Sequence, residues 1–433
     1  MNAVIGDGRW MDWQIWFAGI LFLIVYTVII SEKIHRTVIA LVGAALLILL
    51  GVLAQHEAIG YIDFNTIGLL FGMMVIVGIT RKSGLFEYMA IKAAHSTGGD
   101  PIKILVALSI VTAVASAFLD NVTTVLLIVP VTISICYVLE IIPIPIFIAE
   151  IIASNIGGTA TLIGDPPNIM IGSAAGLGFM DFVINLTPVI IVIFIVTVFL
   201  LKVIYKKQLK TTEANKQQLM QMNANDAIKD TVLLKKSLSV IGLVILGFIL
   251  HQYLGLESAT IAIAGAAILM LITGEDPEEA LLTVEWATLF FFVGLFILVG
   301  GLEKVGIIAS MAREAVNLTQ GNQTMATILI LWFSAIASAF IDNIPFVATF
   351  IPLIKEMGQI GHMNIAPLWW ALSLGACLGG NGTIIGASAN VIVSGISARE
   401  GHPITFLGYM KIAFPLMLVS IVIATIYLLV FFL

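Results

Sequence analysis

Two hexapeptides 222 residues apart constrain this chain more than any other feature. Ser116-Ala117-Phe118-Leu119-Asp120-Asn121 and Ser338-Ala339-Phe340-Ile341-Asp342-Asn343 each set an Asp-Asn pair inside a long apolar run. A charge at the centre of a membrane helix costs about 2.5–3.5 kcal/mol on insertion scales, so it marks a functional position by default. Here the costly feature occurs twice, in one local context. That the runs are membrane runs follows from composition. Hydrophobic residues make up 60% of the chain and charged residues 11%, against about 45–50% and 25% in soluble domains. Mean hydropathy is +1.10. A soluble fold would need a polar surface that this chain lacks. Apolar runs near the ~20 residues that cross a bilayer recur throughout.

The hexapeptides belong to a duplication that runs through the chain without a gap. Gly43 matches Gly265, Thr66 matches Thr288, and Gly72, Gly78 and Gly84 match Gly294, Gly300 and Gly306. Pro130 matches Pro352, Gly157-Gly158 match Gly379-Gly380, and Asn168 matches Asn390, always at a spacing of 222. The expected fold is therefore an all-α polytopic membrane protein made of two repeats. The first half, 1–204, holds a hairpin over 101–140 and a broken helix over 145–173. A polar linker follows over 205–236. The second half, 237–433, holds a hairpin over 325–357 and a broken helix over 364–395. The breaks are dictated by Gly157-Gly158…Gly164-Asp165-Pro166-Pro167-Asn168 and by Gly379-Gly380-Asn381-Gly382-Thr383…Asn390, which cannot continue a regular helix. Further spans are expected near 13–30, 37–54, 63–80, 183–204, 238–254, 257–273, 284–302 and 412–432, with polar, interfacial stretches at 81–100 and 303–322. Residues 1–12 lack the basic region of a signal peptide, so 13–30 reads as a span, with Trp10, Trp13 and Trp16 suited to an aromatic belt.

Eight lysines between 202 and 236 direct the linker to the cytoplasm. If the hairpins are re-entrant and the broken helices cross, 16 of the 20 Lys and Arg lie inside, both termini lie outside, and the repeats are inverted. That arrangement is common among secondary transporters. The expected location is the plasma (inner) membrane. Irregular backbone at membrane depth survives where it is buried in protein or lines a cavity, and half-helix ends there present free N–H and C=O groups to a ligand. The candidate ligand-binding residues are Asp120, Asn121, Thr123 and Thr124 on the first hairpin and Asp342 and Asn343 on the second. The first break adds Gly158, Thr159, Thr161, Gly164, Asp165 and Asn168; the second adds Gly380, Asn381, Thr383 and Asn390. Each hairpin Asp either titrates in exchange with a ligand or caps its half-helix. Asp165, whose repeat mate is Ala387, is either a single titrating site or a cap before Pro166. Glu150, whose mate is Leu372, reads as interfacial. Cys136 and Cys377 read as buried small residues, and the six histidines as interfacial.

Ser116–Thr124 together with Gly157–Asn168 resembles the ArsB/NhaD permeases of the ion-transporter superfamily, in the branch that contains the melanosomal P protein. The resemblance covers nearly the whole chain. It implies an elevator-type transporter, a homodimer with a scaffold domain and a mobile domain carrying the hairpins and broken helices. More distantly the chain is similar to divalent-anion:sodium symporters, whose tips carry Ser-Asn-Thr where this chain has Asp120-Asn121-Val122 and Asp342-Asn343-Ile344. No Lys or Arg occurs between Lys103 and Lys202, and Lys355 stands alone between Arg313 and Arg399. An anion site at the motifs would therefore rest on backbone dipoles while facing Asp120, Asp165 and Asp342. The reading placed first is a proton-coupled exporter of a small inorganic ion or metalloid, of arsenite type. A sodium/proton antiporter is second, and an organic-anion carrier or a channel third. No cofactor is expected beyond bound Na⁺ or H⁺, and no nucleic-acid partner. An intramembrane aspartyl protease is disfavoured because Leu162-Ile163-Gly164-Asp165 lacks the Gly-x-Gly-Asp pattern of such enzymes.

Overall fold

The computed structural model describes residues 8–31 and 33–433, with side chains from residue 13 onward. The expectations for Trp10, Arg9 and the extreme N-terminus fall on residues or side chains outside the described ones. Trp13 and Trp16 are exposed on the first helix.

All regular elements among the described residues are helices. In the first half they are α1 (Gly8–Ser31), α2 (Arg36–Leu49), α3 (Gln55–Gly60), α4 (Phe64–Arg81), α5 (Leu85–Ser96), α6 (Pro101–Phe118), α7 (Asn121–Leu139), α8 (Ile144–Thr159), α9 (Pro166–Ala175), α10 (Phe179–Asn185) and α11 (Thr187–Tyr205). The linker holds α12 (Glu213–Gln221). The second half repeats the set as α13 (Thr231–Leu254), α14 (Ser258–Thr273), α15 (Pro277–Leu282), α16 (Trp286–Lys304), α17 (Ile307–Leu318), α18 (Gln323–Phe340), α19 (Asn343–Gly361), α20 (Ala366–Gly379), α21 (Ser388–Arg399) and α22 (Phe406–Phe431). Every helix of the first half has a mate 222 residues on, except that α10 and α11 correspond to the one long helix α22. Nine of the described helices are long and apolar enough to cross a membrane by themselves. The helix starts follow their side chains. Asp63 accepts from the Asn65 and Thr66 amides, and Asp100 from those of Ile102 and Lys103, ahead of Pro101 at the first helical position.

The inversion is visible in how the halves interlock. α4 packs chiefly on α14, and α2 on α16. Thr37 at the start of α2 donates to the Ala287 carbonyl at the start of α16, and Glu57 just past α2 pairs with Lys304 at the end of α16. α2 and α16 are thus parallel. By the same test α4 and α14 are parallel: the Ala259 amide donates to Asn65 near their starts, and Lys82 pairs with Glu275 and Glu279 near their ends. α3 turns the chain back between α2 and α4, so α2 and its mate α14 run in opposite directions. Small residues allow the approach. A Cβ at Gly72 would lie 2.5 Å from the Ala262 carbonyl carbon, and one at Gly294 2.7 Å from that of Ala40.

The hairpins α6–α7 and α18–α19 close on the broken helices, α6 against α8 and α18 against α20. The crossing points are mates. A Cβ at Gly157 would meet the Ala113 carbonyl oxygen at 2.1 Å, and one at Gly379 the Ala335 carbonyl oxygen at 2.5 Å. Neither neighbour can yield, because each is backbone.

Two expectations are corrected. The helix expected over 37–54 ends at Leu49, where Gly51 takes a left-handed conformation (φ 75°). The 205–236 stretch is more than a polar connector, since α12 docks on the first hairpin. Thr211 and Asn215 donate to the Leu139 carbonyl, His95 Nε2 meets the Leu219 carbonyl, and the Lys229 amide donates to that of Ser83.

Gly157→Ala and Gly379→Ala should each lower the stability of detergent-solubilised protein by about 1–3 kcal/mol through overpacking. Gly242→Ala, whose Cβ would meet nothing within 4 Å, should leave it unchanged or raised. Thermal unfolding followed by circular dichroism checks both.

Candidate functional site

The two hairpin tips and the two breaks converge on one buried carboxylate. Asp165 precedes α9 but caps nothing with its side chain. Instead the Asn121 amide group donates to it at 3.4 Å, and that of Asn343 at 3.3 Å to its second oxygen. These asparagines open α7 and α19, the returning arms of the two hairpins. Tips that enter from opposite sides and meet at one residue cannot each cross the whole membrane, so the hairpins are re-entrant. Asp165 is 1% exposed.

Asn155, absent from the candidates above, holds the centre together. It accepts from Asn121 and donates to Asn381 and to Asn390, each bond 2.9–3.0 Å long. Its repeat mate is Cys377, so the duplication did not flag it. A usable signal was present: an amide in a mostly apolar helix is costly unless bonded.

The other candidate residues separate by what they touch. Asn168 donates to the carbonyls of Gly158, Thr159 and Thr161, and Asn390 to those of Gly380 and Thr383. Thr161 and Thr383 donate to the Ala117 and Ala339 carbonyls at the ends of α6 and α18. Thr159 bonds back to the Asn155 carbonyl. These groups satisfy the breaks and fasten each to its hairpin. Gly158 and Gly164 face one another: a Cβ on Gly158 would lie 2.5 Å from the Gly164 carbonyl, and one on Gly380 3.0 Å from that of Gly386. Glycine there lets the break fold back on itself. Asp120 accepts from the Thr123 amide and hydroxyl, and Asp342 from the Ile344 amide, so both tip carboxylates cap their helices. The Thr124 hydroxyl is buried and has no partner among the described residues.

The expectation that an anion site at these motifs would rest on backbone dipoles is corrected by a cation remote in sequence. Arg36, at the first turn of α2, bonds Asp342 and Ser388, both at 2.8 Å, and its guanidinium lies 5.0 Å from the Phe291 ring centroid. Sequence distance concealed it, because α2 meets the second hairpin through the interlock of the halves. Its mate is Ser258, so the other repeat has no equivalent. Glu150 is also corrected. It is fully buried, bonded to Thr132, and not interfacial.

A cavity of about 20 Å³ lies where α2, α4 and α16 face the tips. Arg36, Asp120, Asn121, Asp165, Glu285, Thr288, Asn343 and Ser388 line it. Glu285 was also missed, although it stands 222 residues after the capping Asp63. A cleft of about 290 Å³ runs beside it, lined by His35, Arg36, Asp342, Ser388 and apolar side chains. A second cleft of about 230 Å³ is lined by Asn65, Ser173, His251, Gln252, Glu257 and Ser258; of these, His251, Gln252, Glu257 and Ser258 are mates of residues lining the first.

Interlocked inverted repeats, re-entrant hairpins and broken helices around a charged central cavity define a polytopic membrane transporter. The chain belongs to the citrate transporter (CitMHS) family, whose model matches residues 26–375. An uncharacterized transporter of Mycobacterium tuberculosis is 44% identical over 416 residues, 94% of this chain and 96% of that one. The P protein of Homo sapiens is 34% identical over 504 residues, which span 97% of this chain and 60% of that protein. The crystal structure of the Alcanivorax borkumensis YdaH transporter, described as having an unusual topology, shares the fold with a TM-score of 0.59 at 14% identity, covering 97% of each chain. This protein is a transporter and not an enzyme.

Arg36→Gln and Asp342→Asn should each lower transport, and the double variant should lower it by less than the sum of the two single effects. The coupling expected for a partly buried ion pair is about 1–2 kcal/mol. Flux measured through the full double-mutant cycle checks it, and additivity would mean the pair plays no part.

Proposed function

We propose that this protein is a proton-coupled secondary transporter that holds its solute at Asp165, between the amides of Asn121 and Asn343. The observation that carries the reading is the meeting of both hairpin tips on that one carboxylate. A ligand there touches both inverted repeats at once, so moving the body that carries both tips against the interlocked helices would change which side it faces. The elevator arrangement implied by the resemblance fits this. The scaffold would be the α2, α4, α14 and α16 interlock, and the mobile body the hairpins with the broken helices. Homodimer formation and a placement among ArsB/NhaD-type permeases belong to the same proposal.

For the solute, three cavity carboxylates (Asp120, Asp165, Glu285) and a volume of about 20 Å³ favour a small cation or neutral species. That volume holds little more than one water. Sodium and an arsenite-type metalloid remain the first readings. A second reading, a citrate-like organic anion, is favoured by the family and by Arg36. Released from Asp342, its guanidinium would offer a carboxylate a two-pronged donor. Binding would then require the cleft beside Arg36 to open. In orientation, we propose that the lysine-rich linker faces the cytoplasm in the plasma membrane and both termini lie outside.

Flux of sodium, arsenite and citrate into proteoliposomes under imposed pH gradients tests the reading. One of them should accumulate against its gradient in wild type, and Asp165→Asn should abolish that accumulation while the protein remains folded. Wild-type accumulation by Asp165→Asn would overturn the site. Labelling of a cysteine at the exposed Gln208 from outside intact cells would overturn the orientation.

A further inference from the structure

Glu150 lies outside the central cavity and lines none of it. It sits in the second turn of α8, roughly 9 Å along the helix from Ile144 and 7–8 Å before Asn155, at 1.5 Å per residue. Its side chain is wholly buried. One carboxyl oxygen bonds the Thr132 hydroxyl of α7, and the other has no partner among the described residues. A buried carboxylate with one hydroxyl for company is far more costly than a neutral carboxyl in the same place. The titratable neighbour that faces it is the Cys136 thiol of α7, also buried. The cations on the other helices packed against α8 stand near helix ends: Lys103 on α6, Lys202 on α11, Arg399 on α21 and Lys411 on α22. None is bonded to Glu150, and neither are Tyr205, Cys377 or Tyr409.

Thr132 and Cys136 lie toward the hairpin base, where the linker docks on Leu139. From Glu150 the polar groups of α8 continue through Ser154 to Asn155, which bonds Asn121, which bonds Asp165. The carboxyl therefore stands between the linker face and the central site, on the same broken helix.

We propose that Glu150 is the proton-binding site of this transporter, separate from the solute-binding carboxylate Asp165. The proposal rests on the proton-coupled reading and deepens it. Glu150 carries the proton as a neutral acid while buried. It releases the proton, leaving a carboxylate, when movement of the hairpin admits water from the linker side. Its mate Leu372 gives the second repeat no such group, so one proton site serves the whole cycle.

Infrared spectroscopy of wild type in lipid at neutral pH tests the protonation. A protonated-carboxyl stretching band is expected, lost in Glu150→Gln and displaced in Glu150→Asp. Circular dichroism and gel filtration establish that each variant is folded, and Glu150→Asp keeps the test open if Glu150→Gln is not. A band present and unaltered in both variants, or absent in wild type, overturns the assignment. Coupling is read from a pH-sensitive dye inside proteoliposomes while sodium, arsenite or citrate is supplied. Glu150→Gln should reduce solute-driven proton movement by about tenfold or more, as expected when the group that exchanges the proton is gone. If wild type transports one of these solutes with no proton movement, the proton-coupled reading falls and takes this site with it. If wild type moves protons and Glu150→Gln moves as many, the Glu150 assignment alone falls.

Discussion

A helix broken inside a membrane exposes backbone N–H and C=O groups where no water can take them, at several kcal/mol for each group left alone. The rest of this structure depends on how that cost is met. Asn168 and Asn390 each fold their amide back over the break and satisfy two or three carbonyls. Thr161 and Thr383 bind each break to the hairpin beside it. With the carbonyls occupied, the broken segments can lie at the centre without unfolding. Asp165, freed from capping, can then face the tips.

The same economy explains which side chains remain for a ligand. Most small polar residues of the motifs are consumed in holding backbone. What faces the cavity is a short set of acids, two tip amides and one guanidinium. Arg36 comes from the interlocked helices and Asp342 and Ser388 from the second hairpin and second broken helix. Under the elevator reading proposed above, the bond joins the two bodies that would slip past each other.

Much of this architecture was legible in the sequence because a duplication fixes register. A break, an Asp-Asn tip or a crossing glycine that recurs at a constant spacing has to be built the same way twice. Gly157 and Gly379, Thr161 and Thr383, and Asn168 and Asn390 make matching contacts as a result. What the sequence hid were contacts that the duplication does not share. Arg36 has Ser258 as its mate, Asn155 has Cys377, and Glu150 has Leu372. Their partners lie on helices brought near by the interlock or by the hairpin fold, and no local spacing encodes that. Glu285 was hidden for another reason. Its mate Asp63 reads as an ordinary helix cap, and an inverted copy of a cap can face a different space.

The lone arginine has a consequence for energetics. Two copies of one repeat, inverted about the membrane plane, would by themselves give inward- and outward-open conformers of equal free energy. The Arg36–Asp342 bridge is made in one of the two clefts, and its mate position, Ser258, can form none. Under the elevator reading proposed above, a conformer that keeps the bridge would lie below one that breaks it, and an empty carrier would rest there. Loading with solute then has to overcome a fixed bias in one direction and is helped by it in the other. Under the alternating-access reading proposed above, a solute gradient of given size would then drive influx and efflux at unequal rates when it is reversed in direction.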